Sequence, residues 1–170
     1  MNDSQIQVTD NALIGEEFAI IKSVIESSQF TWHWGAVLDE NDIKNPYKIT
    51  CEKSDNYQLY ADILCTSKSV YNNELINFMR PVMGFLNVRA PHRIKVNCQT
   101  VSSSGKQVIQ GYHTDNPYEG CKTAILYLDD ADGYTIFKHN EQKVYSKPNR
   151  IVSFPSHFMH SGTTPVGSMR

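Results

Sequence analysis

Lys122-Thr123-Ala124-Ile125-Leu126-Tyr127-Leu128, followed at once by Asp129-Asp130-Ala131-Asp132-Gly133, is the stretch that decides the fold. A run of β-branched and large apolar side chains, cut off by an acidic turn ending in glycine, reads as a strand. Tyr134-Thr135-Ile136-Phe137 resumes the pattern, and Arg150-Ile151-Val152-Ser153-Phe154 repeats it after Pro148-Asn149. Upstream, Arg93-Ile94-Lys95-Val96-Asn97-Cys98-Gln99-Thr100 alternates polar with apolar residues, and Ser102-Ser103-Ser104-Gly105 supplies a turn. Short strands at roughly ten-residue spacing predict an all-β sandwich or barrel core.

Helical periodicity precedes these strands. Thr9-Asp10-Asn11 offers cap residues, and Leu13, Ile14, Phe18, Ile21, Val24 and Ile25 then recur at three- and four-residue intervals. Ser27-Ser28 ends that pattern. A second helix is expected from about Tyr71-Asn72-Asn73 through Leu75, Ile76, Phe78 and Met79, with Pro81 ending or kinking it. Trp32-His33-Trp34 alternates like a strand, with both indoles on one face. The expected fold is therefore mainly β with N-terminal helices: a helical and supporting segment over about 1–92, then a β core over 93–170, in one domain.

Composition narrows the function classes. The 170 residues carry 16 Lys and Arg against 18 Asp and Glu, a net charge of -2, so electrostatics argue against nucleic-acid binding. No apolar run is long enough to span a bilayer, and Met1-Asn2-Asp3-Ser4-Gln5 is unlike a signal peptide. The cysteines at 51, 65, 98 and 121 form no C-x-x-C pair, which disfavours a zinc ribbon and fits reduced thiols in a cytoplasmic protein.

The chemistry concentrates in Gly111-Tyr112-His113-Thr114-Asp115-Asn116-Pro117. On an extended backbone, His113 and Asp115 project to one face while Thr114 faces away. That is two-thirds of a 2-His-1-carboxylate facial triad, the ligand set that leaves positions open on iron(II). An Asp orienting a surface His would account for the triplet as simply. His157 and His160, in Phe154-Pro155-Ser156-His157-Phe158-Met159-His160-Ser161-Gly162, compete as third ligand, and periodicity does not choose between them. Arg170 does, lying ten residues past His160, where a returning strand would bring its guanidinium to the same cavity to grip a carboxylate. Arg89, Arg93 and Lys95 form a small basic cluster that reads as a solvated strand face, with contact to an acidic substrate as the other reading.

Over about residues 93–170 the chain resembles the iron(II)- and 2-oxoglutarate-dependent dioxygenases, particularly their prolyl 4-hydroxylase-like branch. His113-Thr114-Asp115, His160 and Arg170 carry the likeness, with Thr123–Leu128, Gly133–Phe137 and Asn149–Phe154 in the family's order. The resemblance implies a double-stranded β-helix (jelly roll), iron held by His113, Asp115 and His160, and Arg170 binding the distal carboxylate of 2-oxoglutarate. Tyr127 matches a tyrosine that helps hold that carboxylate; Thr123, on the same strand face, and Asn97, on the preceding strand, are further candidates for contact with the cosubstrate. It also implies dioxygen as co-reactant, ascorbate as reductant, and hydroxylation of an unidentified substrate, first a prolyl residue of a protein or peptide. In relatives the strand opened by the basic residue continues and completes the sheet, so a chain truncated after Arg170 is the expectation. Two other classes remain: a metal-free jelly-roll binding or structural module, and a cupin-like enzyme using zinc or manganese.

Overall fold

A computed structural model describes residues 5–39, 49 and 51–167. Among these residues ten strands and three α-helices follow in the order β1 (Gln7–Thr9), α1 (Gly15–Ile25), β2 (His33–Ala36), β3 (Tyr57–Cys65), β4 (Val70–Tyr71), α2 (Asn73–Phe78), α3 (Arg80–Phe85), β5 (Arg93–Gln99), β6 (Lys122–Tyr127), β7 (Tyr134–Phe137), β8 (Lys143–Tyr145), β9 (Arg150–Pro155) and β10 (His160–Gly162). The molecule is mainly β, and all strand pairs are antiparallel.

Three sheets result. The first has the order β1-β9-β6 and the second β10-β7-β8; in the third, β3 pairs with β5 along one edge and with β2 and β4 along the other. Residues 109–113 extend the second sheet, bridging β10 at Ile109–Thr163 and His113–His160. A helices-then-strands division is therefore not how the chain is built. β3, the longest strand, lies in the first half and pairs with β5, while β1 pairs with β9 near the other end. Its sequence carries the signal: Leu59, Ala61 and Ile63 alternate with Gln58, Tyr60 and Asp62.

Two apolar clusters hold these layers. Phe137, Phe154, Phe158, Val144, Val152 and Ile6 are buried between the first and second sheets, with Phe137 and Phe154 in edge contact at 4.8 Å. Burying each such side chain contributes about 1.5–3 kcal/mol. The second cluster joins α1 (Ile21, Ile25) and the α2–α3 region (Met79) to Ile63 of β3 and Ile151 of β9. The helices thus cover one face of the first and third sheets. The face of β3 and β5 turned away from the helices presents Gln58, Tyr60 and Asp62 opposite Gln99, Asn97 and Lys95.

Helix boundaries differ from the sequence reading for local reasons. α1 starts at Gly15 after Ile14, with no side-chain cap. Asp10 is instead drawn to Arg150 and Lys147, accepting hydrogen bonds at 2.6 Å from Arg150 Nε and 2.8 Å from Lys147 Nζ. Asn149, in the left-handed region at φ 58°, accepts from Leu13 N and donates to Leu13 O, both at 2.9 Å, tying the N-terminal segment to β9. α2 is capped by Asn72 Oδ1, which accepts from Leu75 N at 3.1 Å. Pro81 sits in the first turn of α3, where its missing amide hydrogen costs nothing. Of the two tryptophans, Trp32 packs into the second cluster, whereas Trp34 is exposed and stacks on Tyr57.

Candidate metal centre

The turn ahead of β6 and the start of β10 meet at His113, Asp115 and His160. The paired backbones of His113 and His160 exchange two hydrogen bonds of 2.9 Å, which places their imidazoles side by side with centroids 4.7 Å apart. Asp115 follows two residues on. Its backbone amide donates to Ser156 O at 3.1 Å, so the loop before β10 holds the carboxylate toward the histidines. One ligand atom from each of the three residues lies within 4.8 Å of the others.

Each imidazole is oriented by the backbone. His113 Nδ1 lies 3.1 Å from Gly111 O, and His160 Nδ1 lies 2.9 Å from Phe158 O. A carbonyl only accepts, so in neutral imidazoles both Nδ1 atoms carry the hydrogen and both Nε2 atoms keep a lone pair. Metal-binding histidines are commonly fixed in this way. His160 is 5 % exposed, its ring packed on Phe154 at 4.7 Å. Burial, then the neighbouring His160, pushes the His113 pKa below its ordinary value, which favours the neutral, ligating form.

Asp115 Oδ2 stands 3.6 Å from His160 Nε2. Neighbouring ligands around an ion with bonds of about 2.1 Å sit about 3 Å apart, so this pair already stands close to ligating separation. Two imidazole nitrogens and a carboxylate oxygen on one side suit a first-row divalent ion with remaining positions open. The residues fit such a group.

Thr123 stands beside the cluster. Its hydroxyl donates to Asp115 Oδ2 at 2.8 Å and lies 3.0 Å from Ser156 Oγ, so it orients the carboxylate. Tyr127, on the same face of β6, donates to Thr135 Oγ1 at 2.8 Å, and burial raises its pKa to about 12. Asn97 is exposed on β5, in register with Tyr60 on the polar face. Arg170 lies outside the described residues. His157 stays out of the cluster, its ring against Phe158 at 5.2 Å. Sequence reasoning missed the carbonyls of Gly111, Phe158 and Ser156, which carry no side-chain signal. The place of Thr123 on the Tyr127 face was the one available clue to its position.

No protein-family model, curated protein or solved structure matches the chain. The functional reading stands on the geometry and on the motif resemblance.

Proposed function

We propose that this protein is an iron(II)- and 2-oxoglutarate-dependent dioxygenase of the prolyl 4-hydroxylase-like kind, built on a jelly roll. The observation that carries the reading is the convergence of His113, Asp115 and His160, with each Nδ1 on a backbone carbonyl and each Nε2 left to ligate. A metal-free binding module has no need of two imidazoles so oriented.

When bound, iron(II) supplies the activation of dioxygen that couples decarboxylation of 2-oxoglutarate to hydroxylation of a substrate. The chain's own groups have simpler tasks. His113 and His160 hold their Nε2 lone pairs toward one point, and Thr123 keeps the Asp115 carboxylate turned to it. Phe154 walls the buried side of the site at His160, excluding water there. Arg170 is assigned the distal carboxylate of the cosubstrate, and a prolyl residue of a protein or peptide is the first substrate to test.

The test is anaerobic. Protein loaded with iron(II) and titrated with 2-oxoglutarate develops a weak visible charge-transfer band that saturates, and His113→Ala abolishes it. If a chain extended past Arg170 also gives no band, the dioxygenase reading is abandoned for the binding-module one.

A further inference from the structure

We propose that Lys95 is a carboxylate-recognising residue at the mouth of the His113–Asp115–His160 site, additional to Arg170, and that the ligand approaching there along β5 is an anion. The proposal deepens the dioxygenase reading and rests on it for the role of the site.

Alternation on β5 puts Arg93, Lys95, Asn97 and Gln99 on the face turned away from the helices, in register with Cys65, Asp62, Tyr60 and Gln58. One end of this face is closed by amides. Gln99 Nε2 donates to Gln58 Oε1, and Gln110 Nε2 donates to Gln99 Oε1, both at 2.8 Å, with Gln58 and Gln110 buried. Gly162 of β10 packs there too, close to the side chains of Gln110 and Gln99. Toward the other end the face is more open, with Asn97 and Arg93 exposed.

Lys95 lies toward that open end, half-buried, with Nζ 4.9 Å from the centre of the Tyr60 ring. Gln110 and Gly162, which meet Gln99 on this face, belong to the two paired segments that carry His113 and His160, so Lys95 lies on the site's side of the sheet. The cation two residues earlier is already spoken for: Arg93 pairs with Asp62 at 3.3 Å, and Lys68 meets the same carboxylate at 3.5 Å. Among the described residues Lys95 Nζ makes no hydrogen bond and no ion pair. Burial, then the Arg93 charge, holds its pKa down to about 8. A half-buried ammonium over a tyrosine face, next to a site with open metal positions, is a receptor for an oxyanion. A carboxylate is the oxyanion that matches the proposed chemistry, and it can come from the cosubstrate or from the substrate.

The experiment compares wild type, Lys95→Met and Lys95→Arg, each loaded with manganese(II) so that no turnover occurs. Manganese binding is followed by electron paramagnetic resonance and carboxylate binding by calorimetry. One arm titrates 2-oxoglutarate; the other titrates succinate into protein already saturated with 2-oxoglutarate. Loss of the charged partner should weaken one of these by about tenfold or more, with manganese binding retained and Lys95→Arg largely restoring affinity. Weakening in the first arm assigns Lys95 to the cosubstrate's carboxylate, and weakening in the second alone to the substrate's. Wild-type affinities in both arms for Lys95→Met, or no carboxylate binding by wild type, overturn the proposal. Absence of manganese binding in wild type overturns the dioxygenase reading instead. Succinate titrated into the metal-free protein then tests Lys95 by itself.

Discussion

Replacing Lys95 by Met should make the protein more stable at neutral pH, which is unusual for the loss of a charge. Lysine's ordinary value of 10.5 falls to about 8 here, chiefly through burial and then through Arg93. At about 1.4 kcal/mol per pH unit, holding the charge in the folded protein at pH 7 costs about 3 kcal/mol. The Tyr60 ring 4.9 Å away offsets about 0.5–1 kcal/mol of that. Met keeps an unbranched apolar stem against the same ring, so the net gain is about 2 kcal/mol. Its pH dependence has a definite sign. Below about pH 8 the folded and unfolded chains both carry the proton, and the cost is present in full. Between about 8 and 10.5 only the unfolded chain holds it, so wild-type stability rises with pH and the variant's advantage shrinks to nothing. Urea denaturation of both proteins at pH 7, 9 and 10.5 reads this directly, since titrations common to both cancel in the difference. Equal stability at pH 7, or a destabilised variant there, refutes the reasoning. So does an advantage that persists unchanged at the highest pH.

Other expectations concern the metal centre, the first sheet and the core. Thr123→Val removes the donor to Asp115 Oδ2 and should weaken manganese(II) binding about tenfold with the fold intact; unchanged affinity in a chelator competition would show that the hydroxyl does not orient the ligand. Asp10, held well below the usual carboxylate range by Arg150 and then Lys147, adds stability above the unfolded value of about 3.9, and that stability is lost as pH falls through the folded value. Asp10→Asn should therefore lower the urea midpoint at pH 6 and match wild type at strongly acid pH; a gap of constant size would point to packing instead. Phe137→Ala empties a fully buried position against Phe154 and should cost about 3–5 kcal/mol in the same assay.

Much of the β framework was legible because its signals are local. Alternation over 93–99, the apolar run after Lys122 and the acidic turn before Tyr134 each specify a strand or its end within a few residues, and β5, β6, β7 and β9 lie where those signals fall. β3 was missed although Leu59, Ala61 and Ile63 alternate, and β8 and β10 have three residues each, too few for a period to register. The start of α1 was misjudged because a cap is chosen by competition. Asp10 gains more from two cations on and before β9 than from three amides of a helix end, and no window around residue 10 contains that alternative.

By itself the sequence determined a β-rich chain, the H-x-D spacing that puts His113 and Asp115 on one side of an extended backbone, and a basic cluster around Lys95. Only the tertiary structure decided what those groups face. The two-bond pairing of His113 with His160 spans 47 residues, and the carbonyls that fix both imidazoles become partners only once the 109–113 segment lies along β10. Thr123 became the carboxylate's donor through the same closure. Lys95 was separated from Arg93 because one of two adjacent same-face cations met Asp62 across the strand and the other was left over a tyrosine beside the site. Side-chain type and spacing are properties of the chain, whereas burial, partner and field belong to the packed sheets, and the chemistry of a site depends on the second set.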